Sequence, residues 1–210
     1  IYRYKGKDIS IVSNGSATLD FYRNLHSSIY ISRHHFDDKI NADIFGISEK
    51  RILSMDDLAQ LFYSTLTCTC IKGGIDSVDK IIEYLQIANS FNIKNIVFSN
   101  LHDDASVNTF DSAYQDLNVK KELFDETISI LEQQGFYYNH PVISSGGYKM
   151  YILNHQFSRM KVAFKQYMSK EELENLWPSA VKRTFDLSMA PDGSIYENWA
   201  QNGHKVKVLK

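Results

Sequence analysis

Short apolar runs alternate with amphipathic stretches along the first two-thirds of the chain. The clearest case is Leu66–Leu101, which reads apolar strand, glycine turn, amphipathic helix, lysine turn, apolar strand. That order is one right-handed βαβ unit and implies a parallel sheet. Its strands are Leu66–Ile71 and Asn95–Ser99. Its helix opens at Ser77 and carries Val78, Ile81, Ile82, Leu85 and Ala88 on one helical stripe. The same alternation predicts a strand at Asp8–Ser13, a helix from Ala17 to His26 capped by Ser16, and a strand at Ser28–Ser32. A short helical segment is expected over Asp37–Phe45, and a helix over Met55–Tyr63 with Ser54 as cap and two carboxylates in its first turn. A polar loop spans His102–Asp116. A last long helix covers Val119–Gln134, with Leu123, Ile130 and Leu131 inward and Gly135 as its stop.

Beyond Gly135 the pattern changes. Pro141, Gly146-Gly147 and Pro191-Asp192-Gly193 punctuate short alternating runs. Tyr148–Leu153 and Thr184–Met189 with Ser194–Tyr196 read as antiparallel strands, the last two joined as a hairpin. The expected fold class is therefore α/β: a parallel-sheet body over residues 1–138, and a mixed-strand C-terminal appendage over residues 139–210.

Composition narrows the class without naming a reaction. A formal charge of −2 gives no reason to expect nucleic acid or an anionic membrane as partner. No apolar run approaches the roughly 18 residues that cross a bilayer. The segment IYRYKGKDIS lacks the apolar core of a signal peptide, so a cytoplasmic protein is expected. The first residue is not methionine, which suggests a chain that begins part-way through a gene product. An unpaired strand edge at Asp8–Ser13 would then invite self-association. The two cysteines, Cys68 and Cys70, share one strand face as small core residues and fall short of a zinc or iron–sulfur ligand set.

Parallel sheets place ligands at the carboxyl ends of their strands. The chemistry-bearing residues there are Ser13-Asn14-Gly15, Ser32-Arg33-His34-His35, Ile71-Lys72-Gly73-Gly74 and Ser99-Asn100-Leu101-His102. Arg33 is of the type that clamps a carboxylate or phosphate with two hydrogen bonds. The alternative for this cluster is a solvated loop with a capping histidine. Lys72-Gly73-Gly74 is similar to a fragment of a phosphate loop without the full motif, and its glycines also suit a plain turn. The histidines lack metal-ligand spacing. No nucleophile elbow, H-E-x-x-H or dinucleotide fingerprint occurs.

In this order and spacing, Ser13-Asn14-Gly15, Ile31-Ser32-Arg33-His34-His35, Ile71-Lys72-Gly73-Gly74-Ile75-Asp76-Ser77 and Val97-Phe98-Ser99-Asn100-Leu101 resemble the later strands of a radical S-adenosylmethionine enzyme. Ser-Asn-Gly is similar to that family's frequent Thr-Asn-Gly. The resemblance covers Asp8 to Leu101, with the helix ending at Gly135 as a last barrel helix. Met189-Ala190-Pro191-Asp192-Gly193 resembles the C-terminal hairpin of some members. The family's cluster motif C-x3-C-x2-C and its G-G-E-P segment are absent. Both normally precede the strand at Asp8, so the chain is expected to start after them; the alternative is a relative that has lost them.

The resemblance implies a partial (β/α) barrel of about six strands, of which this chain would hold the later ones. It implies S-adenosylmethionine contacts at Ser13, Asn14, Ser32, Arg33, Leu101 and His102, and a substrate contact at Lys72. The full-length protein would cleave S-adenosylmethionine reductively at a [4Fe–4S] cluster and abstract a substrate hydrogen. This chain alone, without cluster cysteines, would bind no cluster and be silent. The other reading is a non-catalytic α/β binding or scaffold protein using the same strand-end crevice.

Overall fold

The computed structural model describes residues 10–25, 28–101, 117–120, 122–138, 141–144, 148–168, 172 and 175, and the backbone of 187–189, 194–197 and 205–208. Three βα steps and a fourth strand come first: β1 (Ser10–Ser13), α1 (Leu19–Arg23), β2 (Ser28–Ser32), α2 (Asp38–Ile44), a 3-10 turn at Glu49–Arg51, α3 (Met55–Ala59), β3 (Ser64–Thr69), α4 (Val78–Ser90) and β4 (Asn95–Ser99). Then follow α5 (Leu123–Gln133), β5 (Phe136–Tyr138), β6 (Val142–Ser144), β7 (Tyr148–His155) and β8 (Lys161–Tyr167).

These form an open eight-stranded sheet in the order β1-β2-β3-β4-β8-β7-β5, with β6 also paired to β7. The first four strands are parallel neighbours in sequence order. β8 joins β4 in parallel, and β7 turns the sheet antiparallel. Sequential parallel strands with right-handed crossovers place every connecting helix on the same face. Burial agrees. The register rows Ile31↔Leu66↔Ile96↔Val162 and Cys68↔Phe98↔Phe164 are buried; between them Ser32, Thr67 and Val97 are part-exposed and only Ala163 is buried. Tyr22 of α1, Leu58 of α3, Tyr84 of α4 and Phe124 of α5 pack on those rows in one core. An aromatic column links the layers: Tyr84 to Phe98 at 5.4 Å, Phe98 to Phe164 at 5.6 Å, and Phe164 to Phe124 at 5.2 Å.

The opposite face is polar. Ser32, Thr67, Thr69, Ser99 and Lys165 alternate with the buried rows and are all part-exposed.

Several expectations are corrected. The cap of α1 is Thr18, whose side chain accepts the Phe21 N–H, and not Ser16. Ser16 donates its own N–H to the Asn14 carboxamide oxygen and belongs to the preceding turn. Helix α3 stops at Ala59, leaving Phe62 and Tyr63 exposed beyond it. Ile130 lies on the outer side of α5; its inner side is Leu123, Phe124, Thr127, Ile128 and Leu131. Strands β6, β7 and β8 come from the segment expected as an appendage, yet they pair directly into the main sheet, which therefore crosses residue 138. A separate three-stranded antiparallel sheet contains β9 (Leu187–Met189), β10 (Ser194–Glu197) and β11 (Lys205–Val208). Its β9–β10 pairing matches the expected hairpin, whose turn Pro191-Asp192-Gly193 lies outside the described residues. So do Asp8, Ile9 and the loop 102–116.

Candidate functional site

The registers Ser13↔Ile31, Ser32↔Thr67 and Thr69↔Ser99 bring the ends of the first four strands to one edge of the sheet. The predicted residues that are described each have their own place there, and they do not all face the same way. Ser13 lies on the helix side, where its hydroxyl bonds that of Tyr22. Asn14 holds the turn through the Ser16 N–H. Gly15, buried at φ +77°, lets that turn lie against Ile31 and hands its carbonyl to the Leu53 N–H at 3.0 Å.

Arg33 is 1% exposed and points into the helix layer. Its guanidinium donates to the Leu53 carbonyl at 2.9 Å, to the Phe36 carbonyl at 2.9 Å and to the Asp38 carboxylate. All three partners are internal, so Arg33 ties β2 to α2 and to the segment before α3. Tyr84 closes the arrangement from α4 by donating its hydroxyl to the Arg33 carbonyl at 3.0 Å. Burial pushes the Tyr84 phenol well above its ordinary value, so it remains a donor.

Ser32 points to the open face, with Thr67 Oγ1 at 3.5 Å from its hydroxyl. His34 sits just above this pair. Its Nδ1 accepts the Thr69 N–H at 3.0 Å, and its ring lies 5.1 Å from that of Phe45. The loop is pinned from α2 by Asn41, fully buried, whose Oδ1 accepts the N–H groups of His34 at 2.7 Å and His35 at 3.2 Å. His35 in turn accepts the Asp37 N–H on its own Nδ1. Each ring spends its Nδ1 lone pair on a backbone donor, so each is a neutral imidazole with its proton on Nε2.

Burial lowers the pKa of both histidines below the ordinary 6.5, with desolvation the first cause in each. The unfolded chain therefore takes up protons near pH 6.5 while the folded chain resists them. Stability conferred by the two rings is complete above that value and falls as the pH drops toward the lowered folded values. Urea denaturation between about pH 7 and pH 5 should show this loss, and the variant His34→Gln/His35→Gln should show a shallower one. An equal slope in the variant would assign the acid sensitivity elsewhere.

Lys72 is exposed and gives its N–H to the Leu117 carbonyl at 2.9 Å. The following glycines build a closed turn. Asp76 accepts the Gly73 N–H at 2.7 Å and the Lys80 ammonium at 2.8 Å, and Lys80 also reaches the Gly74 carbonyl at 2.8 Å. The Lys80 hydrogen bond holds the Asp76 carboxyl below its usual range. A phosphate loop needs its backbone N–H groups unoccupied. Here Asp76 already takes the one from Gly73. Leu101 is part-exposed at the end of β4, and His102 lies outside the described residues.

One residue of this face escaped the sequence reading. Lys165 of β8 stands beside Ser99 in register, its ammonium 4.1 Å from the ring centre of Tyr148 and 4.6 Å from that of Tyr167. The available signal was the alternation of KVAFKQY, in which Val162, Phe164 and Gln166 are inward and Lys165 outward. Cys68 and Cys70 are both unbridged and fully buried on the helix side, where burial pushes the Cys68 thiol well up. Among the described residues no three His, Cys, Asp or Glu side chains are placed to hold a metal ion, and no helix is long and apolar enough to cross a membrane.

No family model matches this chain, and no curated protein matches it.

Proposed function

We propose that this chain forms the later strands of a radical S-adenosylmethionine enzyme, organised as an arc of a (β/α) barrel. The observation that carries the reading is the sheet order. Four consecutive parallel strands lie side by side in sequence order with their helices on one face. A doubly wound fold reverses its strand order, whereas a barrel arc does not. The open face then corresponds to the barrel lumen, and the side of β1 that no strand pairs among the described residues is where preceding strands, or a second copy, would add.

The residues are tested unequally by this reading. Ser32 faces the lumen side and fits a contact to the cofactor, as do the Thr67 and Thr69 hydroxyls beside it. Ser13 and Arg33 make internal contacts and fit a supporting role behind that surface. Lys72 fits a substrate contact at the rim. The two cysteines do not fit a cluster, since a [4Fe–4S] site needs thiolates that reach it and these are core residues of the helix side. A cluster would need ligands other than these two cysteines. Such a group would supply the radical chemistry, and the barrel would orient ligand and exclude water.

That same mismatch favours a second reading, a binding protein that uses the crevice without radical chemistry. One experiment separates them. The coding sequence immediately upstream should contain C-x3-C-x2-C. The longer polypeptide, reconstituted anaerobically with iron and sulfide, should form a cluster and release 5′-deoxyadenosine from S-adenosylmethionine. In it, Ser32→Ala should weaken the cofactor by about 1 kcal/mol, one hydrogen bond's worth. An upstream sequence without those cysteines, or a cluster formed on Cys68 and Cys70 of this chain, would defeat the first reading.

A further inference from the structure

We propose that Lys165, Ser99 and Thr69 form an oxyanion subsite on the open face of the sheet, for a phosphate or carboxylate group of a ligand. The three residues lie in one row across adjacent strands, Thr69↔Ser99↔Lys165. Neighbouring strands are about 4.8 Å apart, so side chains of one row on one face are in reach of a single small group. The row thus offers two hydroxyls and an ammonium in sequence. One further along, Met150 of β7 closes the row with an apolar side chain.

The placement of the lysine is the feature that a solvated surface residue does not explain. Charged side chains commonly guard the edge of a sheet, but β8 is an interior strand between β4 and β7. Lys165 is part-exposed and stands between two tyrosine rings that meet edge to face at 6.0 Å. Cation–π contacts hold an ammonium in place and leave its N–H donors unspent. Among the described residues no carboxylate pairs with Lys165, and the hydroxyls of Ser99 and Thr69 have no hydrogen-bond partner. A fixed cation with unspent donors, in the same cross-strand row as two unspent hydroxyls, is complementary to an oxyanion.

The row below is built for access. Under Thr69, Ser99 and Lys165 lie Thr67, Val97 and Ala163, with Ser32 beside Thr67. Thr67 and Val97 are part-exposed and Ala163 is buried, and on these short side chains the body of a ligand would rest while Lys165 holds its anionic end. The tyrosine rings flank that end from the row above. A small phosphorylated or carboxylated metabolite fits this pattern. The inference stands on the side chains of this chain alone and does not require the cofactor proposed above, so either can fail without the other.

The test is a titration of the chain with inorganic phosphate and, separately, with succinate, read by NMR at the Lys165 ammonium-bearing carbon, the Tyr148 and Tyr167 rings and the Ser99 amide. A saturable change at these positions is expected with at least one probe, and the probe that gives it identifies the oxyanion. Lys165→Met should weaken that binding at least tenfold and Ser99→Ala several-fold. Lys165→Arg, which keeps the charge, should retain more of it than Lys165→Met. Absence of a saturable response to both probes in the unaltered chain would overturn the proposal without recourse to any variant. A response undiminished in folded Lys165→Met would overturn it equally.

Discussion

Arg33→Met should destabilise the protein by about 3 kcal/mol, more than loss of most single surface charges. The side chain is almost completely buried and bridges three elements of structure. Methionine fills a similar length but donates nothing. The carbonyls of Leu53 and Phe36 would lose their partner, each at the cost of an unpaired acceptor. Asp38, 32% exposed, can turn to water and suffers less. Asp38→Asn keeps an acceptor but removes the counter-charge of a buried guanidinium, and should cost less than Arg33→Met, about 2 kcal/mol. Lysine at position 33 should not rescue, because an ammonium cannot present the planar fork that reaches two carbonyls and a carboxylate together. Urea denaturation of the three variants checks the order. A loss below about 1 kcal/mol in Arg33→Met would mean that water replaces the guanidinium and that the residue does not tie the three elements together.

An arginine at a strand end invites assignment as an anion clamp, and its contacts here give it an internal task. Lys165 is a cation of the open face, one sheet position from Ser99 and four strands into the sheet beyond β1. A variant of Arg33 that loses ligand affinity would lose it together with stability, whereas Lys165→Met should separate the two.

How far the chain announces this arrangement depends on how local each contact is. β2 and β4 fall where apolar alternation puts them, since Ile29, Ile31, Ile96 and Phe98 bury one face of a short strand. α4 is equally legible because Ile81, Leu85 and Ala88 repeat on one stripe and Ser77 accepts the Lys80 N–H as its cap. α1 is less so: Ser16 and Thr18 are both good caps, and only the Asn14 side chain, by taking the Ser16 N–H, decides between them. β8 was hidden for a different reason. Its partner β4 lies some sixty residues earlier, and lysines at positions 161 and 165 break the apolar run that marks a buried strand. Nothing local to KVAFKQY indicates that it enters an existing sheet. The same limit applies to Arg33, whose side is chosen by the docking of α2 and not by the strand that carries it.

Asn41→Leu should cost about 2 to 4 kcal/mol and should also change the titration of His34. Asn41 is wholly buried, and its carboxamide oxygen is the acceptor for two consecutive backbone N–H groups, those of His34 and His35. Leucine is close in volume, so the loss is chiefly that of two donors left without a partner, each worth about 1 to 3 kcal/mol when buried. Part of it is offset, because the Asn41 amide nitrogen is itself buried without a partner and leucine removes that group. The loop then loses its anchor to α2. His34 is held to β3 by the Thr69 N–H, and a freed loop would let that ring swing into water. Its pKa should rise from the lowered folded value toward the ordinary 6.5, because desolvation is what lowers it. Acid sensitivity should correspondingly shrink, since a ring that titrates alike in both states contributes no slope. Chemical denaturation and a proton NMR titration of the imidazole, run on the same variant, check the two effects. If stability falls while the His34 titration stays where it is in the unaltered chain, Asn41 holds α2 to the sheet but does not position the histidine at the mouth of the site.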